Sequence, residues 1–357
     1  MKKVLIVYES LATPTTTVRG LQFKTSFQAD DQLQATFVGR TSERMNTVMQ
    51  RWPWRPSLRR PALWAESRVL SRRENQIVEL AKSHDIVMLV TVPSWPLHQR
   101  LVDLPNTKVV TDLIDAVWLP AFQLAGWQQI HEMLSTSDLV VCENEFTASY
   151  AEQHNSNVAI VPDSPQIEEF DRYRDLVHRV PETTTIGWIG GKYTADALYR
   201  IFEPLEQIFS QHQNLQLLLV GADPDRLPRF EAFRPKVIPS YNQTAMINLA
   251  LMIDIGIFPM FNVDESLYRG ALKSRIYMAG GAAVIGQRLG ENENLIEHSV
   301  NGFLAGSDTE WLNAFEQLII DRPLRKRVAA QGLQTVRDDF SRAMCYARLR
   351  SALLSVL

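Results

Sequence analysis

At 357 residues the chain exceeds the length at which a single hydrophobic core usually stops growing, so two domains are expected. Its 45% hydrophobic and 22% charged residues exclude disordered and fibrous classes, and a net charge of −3 gives no reason to expect a nucleic-acid partner. The two cysteines, Cys142 and Cys345, lie far apart with neither a CxxC pattern nor histidines at ligand spacing, which argues against a disulfide framework or a zinc site.

Short β-branched runs alternate with segments of helical period, the signature of βα units around a parallel sheet. The first series falls at residues 4–8, 35–38, 85–90, 108–112, 138–142 and 158–161, each apolar on both parities as strands covered on both faces should be. Between the second and third runs, Gly39 to Arg73 holds nine arginines against Glu43 and Glu66, with Trp52, Trp54 and Trp64 interleaved. This segment suits contact with an anionic membrane or a lipid-linked acceptor, and equally a solvated helical hairpin with inward tryptophans. Pro53, Pro56 and Pro61 argue against one long amphipathic helix there.

From 162 to 185 the rhythm pauses in a proline-flanked stretch, which reads as a linker. A second series follows at 185–190, 215–220, 236–238, 254–258 and 282–285, and after Phe303 only helical segments are expected. The chain therefore reads as an α/β protein of two doubly wound, Rossmann-like domains, 1–165 and 166–340. A C-terminal helix over 341–357 is expected to pack back on the first. No charged leader with an apolar stretch and no 18-residue apolar run occurs, so a cytoplasmic protein is expected, with 40–73 as its possible peripheral contact with the inner face of a membrane.

The first βα loop, "ESLATPTTTVRG", lacks GxGxxG, and no P-loop, HExxH or GxSxG pattern occurs, so neither a bound dinucleotide nor a catalytic metal is expected. What remains is anion binding at strand ends. In "IGWIGGKYTADAL", Gly190 and Gly191 let backbone amides approach a ligand, Lys192 adds a full charge, and Thr194 is placed to cap the following helix. The same text also fits a tight turn with a solvated lysine. In "RGALKSRIYMAGGAAVIG" and the loop before it, Ser266, Arg269, Gly270 and Lys273 gather after a strand, with Arg269 and Lys273 four apart on one face. This too reads either as an anion site or as a surface cationic face.

These motifs, with "LLLVGAD", "DIGIFPM" and "GQRLGENENLIEHSVNGFLAG", resemble the donor domain of GT-B glycosyltransferases, especially family 4 enzymes of surface-polysaccharide and glycolipid synthesis. The specific part spans 185–305. The first domain is similar more faintly, through "VVTDLIDAVWL" and "SDLVVCENEFTASY". The resemblance implies a retaining, metal-independent enzyme with a UDP- or GDP-sugar in an interdomain cleft, moving the sugar to a glycan or lipid-linked acceptor on the first domain. It implies that Gly190, Gly191, Lys192 and Lys273 hold the diphosphate. Ser266, Tyr268 and Arg269 would line the sugar and phosphate, and the loops at Gly221 and at Ile238 to Tyr241 would flank the base. It places Asp115 toward the transferred sugar, with Asp112 the other candidate and Asp115 then a helix N-cap, and it places Arg19 in the cleft against a reading as a helix-surface arginine. Tyr268 and Ile276 stand where many retaining relatives carry two glutamates, so a catalytically silent subunit that binds a partner or glycan is the competing expectation.

Overall fold

The computed structural model describes the chain except residues 12–13, 42–55, 121–126, 181 and 193, with the backbone alone described at 14 and 56–67. Two compact units are present, Met1–Asp163 with Cys345–Leu357, and Ser164–Met344.

In the first unit six parallel strands lie in the order β2-β1-β3-β4-β5-β6: β1 (Lys2–Tyr8), β2 (Leu33–Gly39), β3 (Ile86–Val90), β4 (Lys108–Leu113), β5 (Leu139–Cys142) and β6 (Val158–Ile160). The period of two sorts alternate residues to opposite faces. Val4, Ile6, Ile86, Met88 and Val90 enter one core, while Leu5, Val7, Val87 and Leu89 enter the other. The first core is completed by the helix Arg342–Leu354, whose Cys345, Leu349, Ala352 and Leu353 recur at helical spacing and pack with Phe23 and Phe27. Tyr346 and Arg350 of that helix both donate to Asp30 Oδ2 at 2.8 Å.

A 26-residue helix, Pro56–Ala81, runs through Pro61, against the expectation that its prolines would break it. Pro56 opens the helix, where a missing N–H is harmless, and Pro61 removes one ladder donor. The far end is held by burial of Ile77, Val78 and Ala81 and by an ion pair from Arg40 Nε to Glu74 at 2.8 Å. Arg40 also meets Glu9 at 2.9 Å, and Arg73 donates to the Gly39 carbonyl at 2.9 Å. Arg40 and Arg73 of this cluster thus serve the fold. The three tryptophans and the arginines from Arg44 to Arg60 lie outside the residues or side chains described, and with them most of the membrane-contact segment.

The second unit has six parallel strands in the order β12-β11-β10-β7-β8-β9: β7 (Thr184–Ile189), β8 (Leu215–Val220), β9 (Lys236–Ile238), β10 (Ile255–Phe258), β11 (Ala283–Gln287) and β12 (Phe303–Ala305). β12 corrects the expectation of helices alone after Phe303: three residues at the sheet edge are too few for periodicity to show. The chain winds outward in both directions from β7 and β10, which makes their carboxyl ends the switch point where such sheets receive ligands.

Two glycines determine what sits above that point. Gly187 and Gly256 lie opposite each other on neighbouring strands. A Cβ at Gly187 would come within 2.4 Å of Ile253, and one at Gly256 within 2.3 Å of the Tyr277 ring. The cleared space seats the helix Leu272–Ala279, whose fully buried Tyr277 accepts a hydrogen bond from the Ile189 amide at 2.8 Å. The second unit ends with the helices Asp308–Ile320 and Arg322–Asp339.

Candidate functional site

Lys273 lies one helical turn before Tyr277 and on the same face, so seating Tyr277 on Gly256 aims Lys273 over the end of β7. The residue is half-buried, but its ammonium is sunk among ring faces, 4.8 Å from the Trp188 centroid and 5.2 Å from that of Phe258. Nζ donates to Thr194 Oγ1 at 3.3 Å. Among the described residues no carboxylate lies in ion-pair range of it. Burial, with the nearby Arg269 charge adding to it, lowers the Lys273 pKa to about 7.

Gly190 is the hub beneath this lysine. Its amide donates to the Val220 carbonyl at 2.9 Å and its carbonyl accepts from the Tyr241 hydroxyl at 3.1 Å. A Cβ there would stand 2.4 Å from Trp188 and 2.8 Å from Lys273 Nζ, so the residue must be glycine for the ammonium to occupy its place. Gly221, at φ +81°, presses on the Gly190 carbonyl from the end of β8, where no side chain fits. Gly191, by contrast, is exposed and has open space beside it, and Lys192 is exposed on the same turn.

Thr194 does not cap the next helix, which starts as a 3₁₀ turn over Ala195–Ile201. Its hydroxyl instead folds back on the glycine turn, donating to the Gly191 carbonyl at 3.0 Å and accepting from Lys273. On the other side, Ser266 is buried in the short helix Asp264–Leu267, Tyr268 closes that helix, and its successor Arg269 donates through its amide to the Ser266 carbonyl at 3.4 Å. The Arg269 guanidinium has no carboxylate partner among the described residues. The structure thus brings Gly190, Lys273 and Arg269 together at the switch point, with Thr194, Trp188, Phe258 and Tyr241 as partners that pattern reading does not assign to them. Ile276 is half-buried and packs against the apolar core.

The corresponding end of the first unit has a different character. Arg19 is not on a helix surface: it is 2% exposed and its guanidinium meets Asp112 Oδ1 at 2.6 Å, Asp163 Oδ1 at 2.8 Å and the Val161 carbonyl at 2.6 Å. Burial opposes its charge, and the two carboxylates override that and hold the guanidinium protonated. Asp115 is half-buried in a turn at φ 52°, and its amide donates to Glu143 Oε1 at 3.4 Å. Glu143, absent from the residues picked by pattern, is buried at the end of β5. Burial, then Asp163 and Asp115, push its carboxyl well above the usual range. Its only signal in sequence is a carboxylate following the apolar run "LVVC".

No protein-family model matches this chain, and no curated protein matches it. Solved structures do. The HepE protein of Anabaena in complex with UDP and glucose superposes with a TM-score of 0.72 at 14% identity, over 99% of this chain and 100% of that one. A glycosyltransferase from Rickettsia africae gives 0.69 at 15% over 98% of both chains. Sucrose-phosphate synthase from Thermosynechococcus elongatus gives 0.67 at 12% over 100% of both. At such identities the likeness establishes the architecture, and this chain has the GT-B fold of two Rossmann-like α/β units that those glycosyltransferases share.

Proposed function

We propose that this protein is a glycosyltransferase that moves a sugar from a UDP- or GDP-sugar to a glycan or lipid-linked acceptor. The reaction is retaining and metal-independent and belongs to surface-polysaccharide or glycoconjugate synthesis. The observation that carries the reading is the Lys273 ammonium, held over Gly190 at the switch point without a carboxylate among the described residues to neutralise it. A buried, unpaired cation is costly unless an anion completes it. Departure of a nucleoside diphosphate builds negative charge, and fixed cations stabilise it without reorganisation. Lys273 and Arg269 take the diphosphate above the Gly190-Gly191 turn, whose Gly190 amide is already bonded to the Val220 carbonyl, with Lys192 at its rim, while Ser266 and Tyr268 line the sugar. Solved structures of the similar HepE hold UDP and UDP-glucose, which supports a uridine donor.

In this reading the second unit binds the donor and the first the acceptor. Asp115 faces the transferred sugar, and Arg19, its charge spent on Asp112 and Asp163, frames that end of the sheet rather than touching the acceptor. The arginine-rich segment supplies peripheral contact with anionic membrane. A variant neutralised at Arg44, Arg51, Arg55, Arg59 and Arg60, which spares the structural Arg40 and Arg73, is expected to sediment less with anionic vesicles; identical behaviour removes that contact.

Isothermal titration with UDP, GDP and their sugars tests the site. Binding should collapse in Lys273→Ala and weaken in Lys192→Ala; unchanged affinity in both would sink the phosphate assignment. The packing of Ile276 into the core favours a second reading, a silent subunit that binds nucleotide or glycan without turnover. Incubation with donor sugars decides it: released nucleoside diphosphate supports the enzyme, while binding without release under every acceptor offered supports the silent subunit.

A further inference from the structure

Away from Lys273, a cationic cavity lies at the opposite, amino end of the second unit's sheet. It measures about 590 Å³ and is framed by the starts of β7 and β10 and by one face of the helix Arg322–Asp339. That face presents residues 322, 325, 326, 329, 330 and 333, the full spacing of a helical stripe. Four cations line it, Arg179, Arg322, Arg325 and Lys326, against two acids, Glu182 and Asp254.

The acids offset only part of this charge: Asp254 Oδ1 pairs with Arg179 at 3.4 Å while its Oδ2 accepts from the Thr185 amide at 2.9 Å, and four cations against two acids leave the lining net positive. Arg179 is otherwise fixed by carbonyls, those of Leu251 at 3.1 Å, Gly280 at 3.1 Å and Gly281 at 2.8 Å, and Arg325 by the carbonyl of Leu318 at 2.5 Å. Carbonyls orient a guanidinium and leave its charge in place. Burial lowers the pKa of both arginines despite Asp254, and neighbouring arginines lower it further, so the cavity carries like charges that repel one another. Arg322 and Lys326 stand exposed at the rim, four apart, without an ion-pair partner among the described residues.

We infer that this cavity is a binding site for a phosphorylated small molecule, distinct from the nucleotide site. Two guanidinia pre-set by backbone carbonyls and two unpaired rim cations offer charge-assisted hydrogen bonds to a phosphate. The volume falls within the range of small-molecule sites and holds a body of hexose size beside the phosphate. Apolar lining from Ile319 and Leu333 gives that body a surface to rest on.

The test is titration calorimetry at low ionic strength with glucose 6-phosphate, inorganic phosphate and glucose, on the full chain, Arg322→Ala/Lys326→Ala and Lys273→Ala. A parallel arm measures sedimentation with phosphatidylglycerol and phosphatidylcholine vesicles. The rim residues bond to nothing described, so the double variant should keep the parent's melting temperature. Glucose 6-phosphate is expected to bind, to lose about tenfold or more in affinity in the double variant, and to be unaffected by Lys273→Ala. Sedimentation with phosphatidylglycerol alone, abolished by the double variant, also supports the site and assigns the phosphate to a lipid headgroup. Three results overturn it: equal affinity in parent and double variant, loss of binding in Lys273→Ala, or no binding in either arm up to about 10 mM phosphate ester.

Discussion

Arg19 and Lys273 stand at the carboxyl ends of two parallel sheets, and their surroundings are opposite. Arg19 is enclosed by two carboxylates and a carbonyl, with its charge balanced inside the first unit. Lys273 is half-buried with its ammonium turned inward, where it meets ring faces, a hydroxyl and a second cation. A balanced buried cation is part of the frame and gains nothing from a ligand. An unbalanced one weakens the free protein and is relieved by an anion, which is how a donor site differs from an ion-pair network built of the same residue types.

The comparison breaks most visibly at Arg19. Arg19→Met leaves Asp112 and Asp163 buried without a counter-charge and is expected to destabilise the first unit by about 3–5 kcal/mol, read as a lower urea midpoint. A variant as stable as the parent would mean that the carboxylates already carry protons. Lys273→Met should act the other way. It removes a desolvated charge, so stability holds or rises, while affinity for a nucleoside diphosphate falls by about 1.5–3 kcal/mol, the worth of a charged hydrogen bond. Loss of both stability and binding would show the lysine to be part of the frame. Gly190→Ala should cost about 1–3 kcal/mol of stability, because its methyl collides with Trp188 and displaces the ammonium; an unperturbed melting temperature would argue against the packing described.

Much of this was legible in the sequence because strands buried on both faces are apolar runs that survive reading in either parity. β4 and β10 stand out that way, whereas β12 does not, since three residues at an edge carry no period. The cations of the donor site were legible as residue types at strand ends. Their difference was not: that Lys273 lacks a counter-charge among the described residues while Arg19 has two depends on Asp163, 144 residues from Arg19 in the chain. Gly190 and Gly191 look alike in "GGK", but only the first is sterically required, because Trp188 and Lys273 occupy the room its side chain would need. Thr194 is a plausible cap by pattern, and the glycine turn beside it takes its hydroxyl instead.

The smallest effect expected is also the one that isolates the Lys273 charge. With its pKa lowered to about 7 by burial, Lys273 is mostly neutral in the free protein above that pH and protonated in the unfolded chain up to the ordinary lysine range near 10.4. The unfolded state then binds more protons between those values, so the lysine's contribution to stability rises with pH across that window. A diphosphate beside Nζ favours the ammonium and raises its pKa, so binding takes up a proton above pH 7. A nucleotide sugar such as UDP-glucose serves as the probe because its phosphates do not titrate near neutrality. Affinity should fall as pH rises above about 7, by at most about tenfold per unit. Calorimetry in buffers of different ionisation enthalpy should register proton uptake at pH 8 and almost none at pH 6. In Lys273→Met both the slope and the uptake should vanish; a slope that persists in the variant belongs to another group, and the charge assigned to Lys273 would have to be given up.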